Sequence, residues 1–290
     1  MIADHPIFQK AENFIWTNGR LLERRLFAYH FKEGSAQNVI SALLGFQNAD
    51  GGFGNALEPD IRCPDSQPVP CQHALEILDG IGFDAEIVTQ ICDFLTTITT
   101  AEGGVPWVLP AVMDYPHAQW WQAGENPPAS INPTGIICTL LHKNNFEHPW
   151  LKKATEFCWR VIEGDPADEM HDMGNILQFL RYAPDKERAA KQLSRHADHL
   201  LNSGLAASAG DEGYVWKPID WAPYPDDPLR KHFDPVAINS HLKEIVAEQE
   251  EDGGWPISFP PFSPACHLEW RGWVTLGRLK MLRANGFFEK

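Results

Sequence analysis

The sequence predicts an all-α protein assembled from helical hairpins, and three observations carry that expectation. Apolar residues recur at helical spacing along most segments between loops, and strand signals are nearly absent. The string FQNADGGFGN at 46–55 also returns late in the chain as EQEEDGGWPI at 248–257. In both copies a glutamine (Gln47, Gln249) stands six residues before an aromatic (Phe53, Trp255), with Asp50-Gly51-Gly52 and Asp252-Gly253-Gly254 between them. The copies lie about four units of roughly fifty residues apart, the length of a helical hairpin with generous loops. Weaker copies lie between, AEGGVPW at 101–107 and DEGYVW at 211–216.

In chain order, helices are expected over 4–17, 19–33, 35–47, 68–82, 84–98, 131–145, 148–163, 168–183, 185–202, 233–250 and 266–285. Most are amphipathic. In 35–47 the apolar set Val39, Ile40, Leu43, Leu44 and Phe46 has helical spacing, and 68–82 opens beside Pro70 and stops at glycines. Short joints at Gly34, Phe83 and Glu147-His148 alternate with long loops at 48–67, 99–130, 203–232 and 251–265. Those loops hold the repeat signatures and many of the 11 tryptophans and 23 prolines. Long ordered loops are more often functional than decorative. If successive helices alternate direction, the loops emerge at one end, which becomes the candidate functional face.

The 290 residues are read as one domain, 1–290. No apolar run approaches a membrane span, and MIADHPIFQKAENF lacks the regions of a signal peptide, so a cytoplasmic location is expected. Cysteines at 63, 71, 92, 138, 158 and 266 are scattered with no CxxC pair, the pattern of reduced, mostly buried thiols. The net charge of −15 argues against nucleic acid and anionic membranes as partners, and leans toward an uncharged small-molecule ligand. The oligomeric state is left open.

A helix ending in Gln, then Asp-Gly-Gly-(Phe/Trp), a loop and a second helix resembles the terpenoid cyclase and protein prenyltransferase superfamily. Through GGFGNALEPDIRCPDSQP and HLEWRGW the chain resembles its uncharacterised bacterial members. The resemblance implies an α/α toroid of about five to six hairpins around a central cavity. Helices opening near 19, 68, 131, 168 and 266 would be inner, and an inner helix would be irregular around 217–232. The likeness is specific at 47–54 and 249–255, where the repeat reads as a structural staple: glycines for a tight exit, a glutamine amide bridging backbone groups, an aromatic packing on the next helix.

The family's chemistry does not transfer directly. There is no Asp-x-Asp-Asp acid motif; the comparable place offers His267 and Glu269. Asp60, Cys63 and His73 supply the residue types of the prenyltransferase zinc set, but in the wrong order, and His73 reads as a core histidine; no metal or other cofactor is expected. Asp226-Asp227 reads as a solvated turn rather than a magnesium site.

Three polar constellations remain. One is Glu58, Asp60, Arg62 and Asp65; the second is Asp114, Tyr115, His117, Trp120 and Trp121 leading to Asn132; the third is His267, Glu269, Trp270 and Arg271. Arg20, Glu23 and Arg24 stand on an inner helix. Glu269 and Asp65 are the candidate catalytic acids, with His117 or His267 as base. Glu58, Asp60, Arg62, Trp107, Tyr115, Trp121, Asn132, Trp216, Trp270 and Arg271 are candidate ligand contacts. Carboxylates among aromatics suit carbocation chemistry or sugar binding with acid–base work at a glycosidic carbon. The leading expectation is a small apolar or neutral ligand; the alternatives are a carbohydrate-active hydrolase or lyase, and a non-catalytic scaffold.

Overall fold

The computed structural model describes residues 2–208 and 210–289. The protein is all-α, and among the described residues there is no strand, only isolated β-bridges. The helices are α1 (Pro6–Asn18), α2 (Leu21–Phe31), α3 (Ala36–Leu43), α4 (Pro68–Ile81), α5 (Ala85–Ile98), α6 (Ile131–Lys143), α7 (Pro149–Glu163), α8 (Met170–Tyr182), α9 (Lys186–Asn202), α10 (Pro218–Trp221), α11 (Pro235–Ala247) and α12 (Pro264–Ala284). Each expected helix is present. Most ends shift by one to three residues, and two regions differ in kind: 35–47 closes with the tighter 3₁₀ turn Leu44–Phe46, and 217–232 holds the short α10 and a 3₁₀ turn at Arg230–His232.

Local chemistry accounts for the starts. Proline stands in the first turn of α1, α4, α7, α11 and α12, where its missing N–H costs nothing. Asp84 caps α5, Asp185 caps α9, Asp234 caps α11 and Ser263 caps α12, each accepting a first-turn N–H.

The chain divides into two compact units, Leu43–Ser203 and Met1–Ala42 with Gly204–Lys290. Within the first, α4, α6 and α8 pack side by side, α5 packs on α4 and α7, and α9 covers α8. Leu75, Leu78, Ile91, Leu95, Ile137, Leu141 and Ile162 are fully or almost fully enclosed there. Within the second, α1, α2 and α12 pack against one another and α10 lies on α11. The flush contact of α12 with α2 is at Gly272, where a methyl would come within 3.3 Å of the Glu23 side chain.

All six cysteines are free and buried. Burial pushes the Cys92 thiol up to about 12 and the Cys71 thiol higher still, so neither is a nucleophile near neutrality.

The repeated string builds the same turn three times. Asn48, Thr100 and Glu250 each donate their N–H to the second glycine's carbonyl (Gly52, Gly104, Gly254; 2.9–3.0 Å) and accept from the first glycine's N–H (Gly51, Gly103, Gly253; 3.0 Å). The first glycine has φ of +86°, +98° and +94° respectively, the left-handed region that favours glycine. Asp50 and Asp252 accept from the second glycine's N–H at 3.0 Å. The Gln47 and Gln249 amides donate to Gly51 and Gly253 carbonyls at 3.1 and 2.9 Å. They also reach the neighbouring helix, at the Gln90 side chain on α5 and the Ile7 carbonyl on α1.

Each turn lies flush on a helix. Methyl groups on Gly51, Gly103 and Gly253 would meet the carbonyls of Gln90, Lys153 and Lys10, and methyls on the following glycines would meet Phe94, Phe157 and Phe14, one helical turn further on. The next residue's N–H then donates to the following helix: Phe53 to Cys71 Sγ, Val105 to Thr134 Oγ1 and Trp255 to Thr275 Oγ1. The copy at 211–216 does not share this geometry. A methyl on Gly213 (φ +93°) would meet nothing within 4 Å, and the Trp216 carbonyl instead accepts from Ala207 and from the Trp221 indole.

Candidate functional site

Within the unit Leu43–Ser203 the first two constellations meet because the loops 58–67 and 107–121 pair. The Arg62 N–H donates to the Pro116 carbonyl and the Ala118 N–H to the Asp60 carbonyl, both at 3.0 Å, bridging Ile61 and His117. Gln67, fully enclosed at the start of α4, ties the rest. It accepts from the Leu109 N–H (2.9 Å), donates its amide toward Cys63 Sγ (4.0 Å), and gives its own N–H to the Phe53 carbonyl (2.8 Å).

The approach to this loop is strained. Asn55 and Ala56 have φ of +53° and +62°, and alanine at positive φ carries about 1–2 kcal/mol of strain. Ala56→Gly is therefore expected to raise stability by up to about 1 kcal/mol, the relief partly offset by a more flexible unfolded chain. A comparable loss in a denaturant titration would mean instead that the Ala56 methyl is needed for packing.

Glu58, at the head of this loop, joins α4 in a carboxylate–imidazole–carboxylate cluster. Buried Glu58 holds His73 Nε2 at 2.6 Å, and Glu76, one turn along α4, holds Nδ1 at 3.1 Å. Gln72 donates to the other Glu76 oxygen at 2.9 Å. Burial alone would discharge His73; the hydrogen bonds and charges of Glu58 and Glu76 overturn that and raise it to about 10, so it is an imidazolium at neutral pH. His73 thus spends both ring nitrogens on carboxylates. Among the described residues no group of three His, Cys, Asp or Glu side chains is arranged to hold a metal ion.

The two paired loops also carry aromatic and acidic groups. Trp107 and Trp121 pack with ring centroids 4.7 Å apart at 48°. Trp121 is 6% exposed, and its indole Nε1 is buried with no hydrogen-bond acceptor among the described residues. Tyr115 is exposed, and its carbonyl oxygen lies 2.6 Å from His117 Nδ1. Asp65 and Asp114 are exposed and act together on Cys63, whose thiol is pushed up by burial first and by both charges in addition. Half-buried Asn132 sits at a kink where α6 departs from helical geometry (φ −95°, ψ 113°).

The third constellation belongs to the other unit. Arg271 is 5% exposed and committed to the last copy of the turn. It pairs with both Asp252 oxygens at 2.7 and 2.8 Å, with Glu250 at 2.5 Å, donates to the Trp255 carbonyl at 3.2 Å, and lies 4.6 Å over the Phe14 ring. Hydrogen bonding to that guanidinium, more than any other influence, holds Asp252 below the usual carboxylate range. Half-buried His267 and Glu269 stand in the first turns of α12, Trp270 packs edge-on to Phe259 at 5.6 Å, and Trp216 packs on Trp221 at 4.8 Å. Glu23, fully buried on α2, is held by Arg20 at 2.7–3.1 Å.

Two members of the site escaped the sequence reading. Glu76 had a legible signal, its i,i+3 spacing from His73 on one helix face. Gln67 had none, since its partners lie in other loops.

This sequence matches no known family model and no curated protein. Its fold is similar to that of a crystal structure of a protein from Actinoplanes, with a TM-score of 0.60 over 95% of this chain and 97% of that one. At 13% identity the likeness is one of fold.

Proposed function

We propose that the chain is a small-molecule-binding protein of the terpenoid cyclase and prenyltransferase kind of helical-hairpin toroid. Its ligand, with an apolar body and an acceptor oxygen, sits at the face made by loops 58–67 and 107–121. The superfamily reading is supported by the turn built three times on equivalent helix positions. The ligand reading rests on one observation, the buried indole N–H of Trp121 with no acceptor among the described residues. A buried donor left unmatched costs about 1–3 kcal/mol, which a ligand oxygen would recover. Trp107 offers the apolar wall, with Tyr115, His117 and Asp65 on the same pair of loops. If turnover occurs there, Asp65 and His117 are the acid and base.

The test is the indole N–H spectrum of the whole protein, with Trp121 assigned through Trp121→Phe. Farnesol serves as a neutral isoprenoid alcohol and maltotriose as a neutral oligosaccharide. One of them is expected to shift the Trp121 resonance, and Trp121→Phe to weaken that binding about tenfold, the worth of one hydrogen bond. An isoprenoid response supports the terpenoid reading and a sugar response the carbohydrate one. Silence at Trp107 and Trp121 toward every probe, the cationic one below included, would overturn the site.

A further inference from the structure

We infer that the ligand of this face carries a cationic nitrogen of the substituted-ammonium class; this rests on the site proposed above and sharpens it. The net charge of −15 that argues against anionic partners and leans toward an uncharged ligand also favours a cation where the acidity is local and accessible, as it is here. Asp65 and Asp114 are exposed, and neither has an ion-pair partner among the described residues. Glu58, by contrast, is already matched by His73.

The aromatic groups point the same way. Elsewhere in the chain basic side chains lie over aromatic rings: Arg188 on Trp159, Arg271 on Phe14, Arg283 on Phe31, Lys143 on Tyr182. Among the described residues none lies over Trp107, Trp121 or Tyr115, and Asp65 and Asp114 stand on the same two paired loops, Asp114 directly before Tyr115. Ring faces with carboxylates nearby are the chemistry that recognises ammonium groups. The indole N–H of Trp121 adds the demand for an oxygen, so the fitting molecule is an amino alcohol or a close relative rather than a bare ammonium ion.

The experiment compares choline with 3,3-dimethyl-1-butanol, which has the same shape and hydroxyl but no charge. Binding to the whole protein is followed by the Trp107 and Trp121 indole resonances. Choline is expected to bind about tenfold more tightly than its neutral isostere. That ratio should shrink at high ionic strength and collapse toward one in Asp65→Asn/Asp114→Asn, whose exposed sites leave folding intact, as circular dichroism would check. Equal binding of the two probes, or a ratio unchanged in the double variant, overturns the cation. So does a response to farnesol or maltotriose with none to choline, and in each of these cases the site itself stands. If no probe of either kind moves the two resonances, the site falls and the cation with it.

Discussion

Gly253→Ala is expected to destabilise the protein by more than about 4 kcal/mol, the range reserved for a named structural conflict. Two effects combine. Alanine at φ +94° costs about 1–2 kcal/mol in any surroundings. The added methyl would also lie 2.1 Å from the Lys10 carbonyl oxygen and 2.4 Å from its carbon, helix backbone that cannot step aside without moving α1. The chain supplies its own controls at nearly the same φ. The methyl would be 2.6 Å from the Gln90 oxygen at Gly51, 2.9 Å from the Lys153 oxygen at Gly103, and in open space at Gly213. Denaturant titrations should therefore rank the alanine variants Gly253, Gly51, Gly103, Gly213 in falling order of cost, the last paying only the backbone penalty. Were Gly253→Ala to cost no more than Gly213→Ala, the turn would not rest on α1.

Glu58→Gln is expected to cost about 3 kcal/mol at pH 7, because it leaves the largely enclosed His73 imidazolium with one carboxylate instead of two. The pH dependence gives a second signature. His73 titrates at about 10 in the folded protein, above its unfolded value near 6.5. Its stabilising contribution is therefore complete below pH 6.5 and is lost as pH rises toward 10. Wild type should lose stability across that window, and Glu58→Gln should show a flatter curve with His73 titrating closer to its ordinary value. NMR titration of His73 in both proteins measures this. A wild-type His73 titrating near 6.5, with no stability change in the variant, would show that the charged pair does not form.

Much of the fold was legible because it depends on neighbours in sequence. The helix starts follow prolines and capping residues within the same few positions, as at Pro68 and Asp84. The turn follows from Gly-Gly with an aspartate one residue ahead, in two of its three copies. Local likeness misled once, at DEGYVW, whose Gly213 has the right φ but no helix to rest on. The spacing of glycine and tryptophan cannot reveal whether a carbonyl waits opposite.

The site was legible only in its parts. The sequence by itself determined an all-α chain, its staple turn, and which loops hold carboxylates and aromatics. Tertiary structure decided which of these meet. Glu58 reaches His73 across the intervening loop, Asp60 is fixed by Ala118, and Gln67 by Leu109. It also made Arg271 the clamp of a repeat. Helical period and turn chemistry act over a few residues and leave a mark in the sequence. A hydrogen bond between distant loops depends on where two backbones have been carried, and no short string records that.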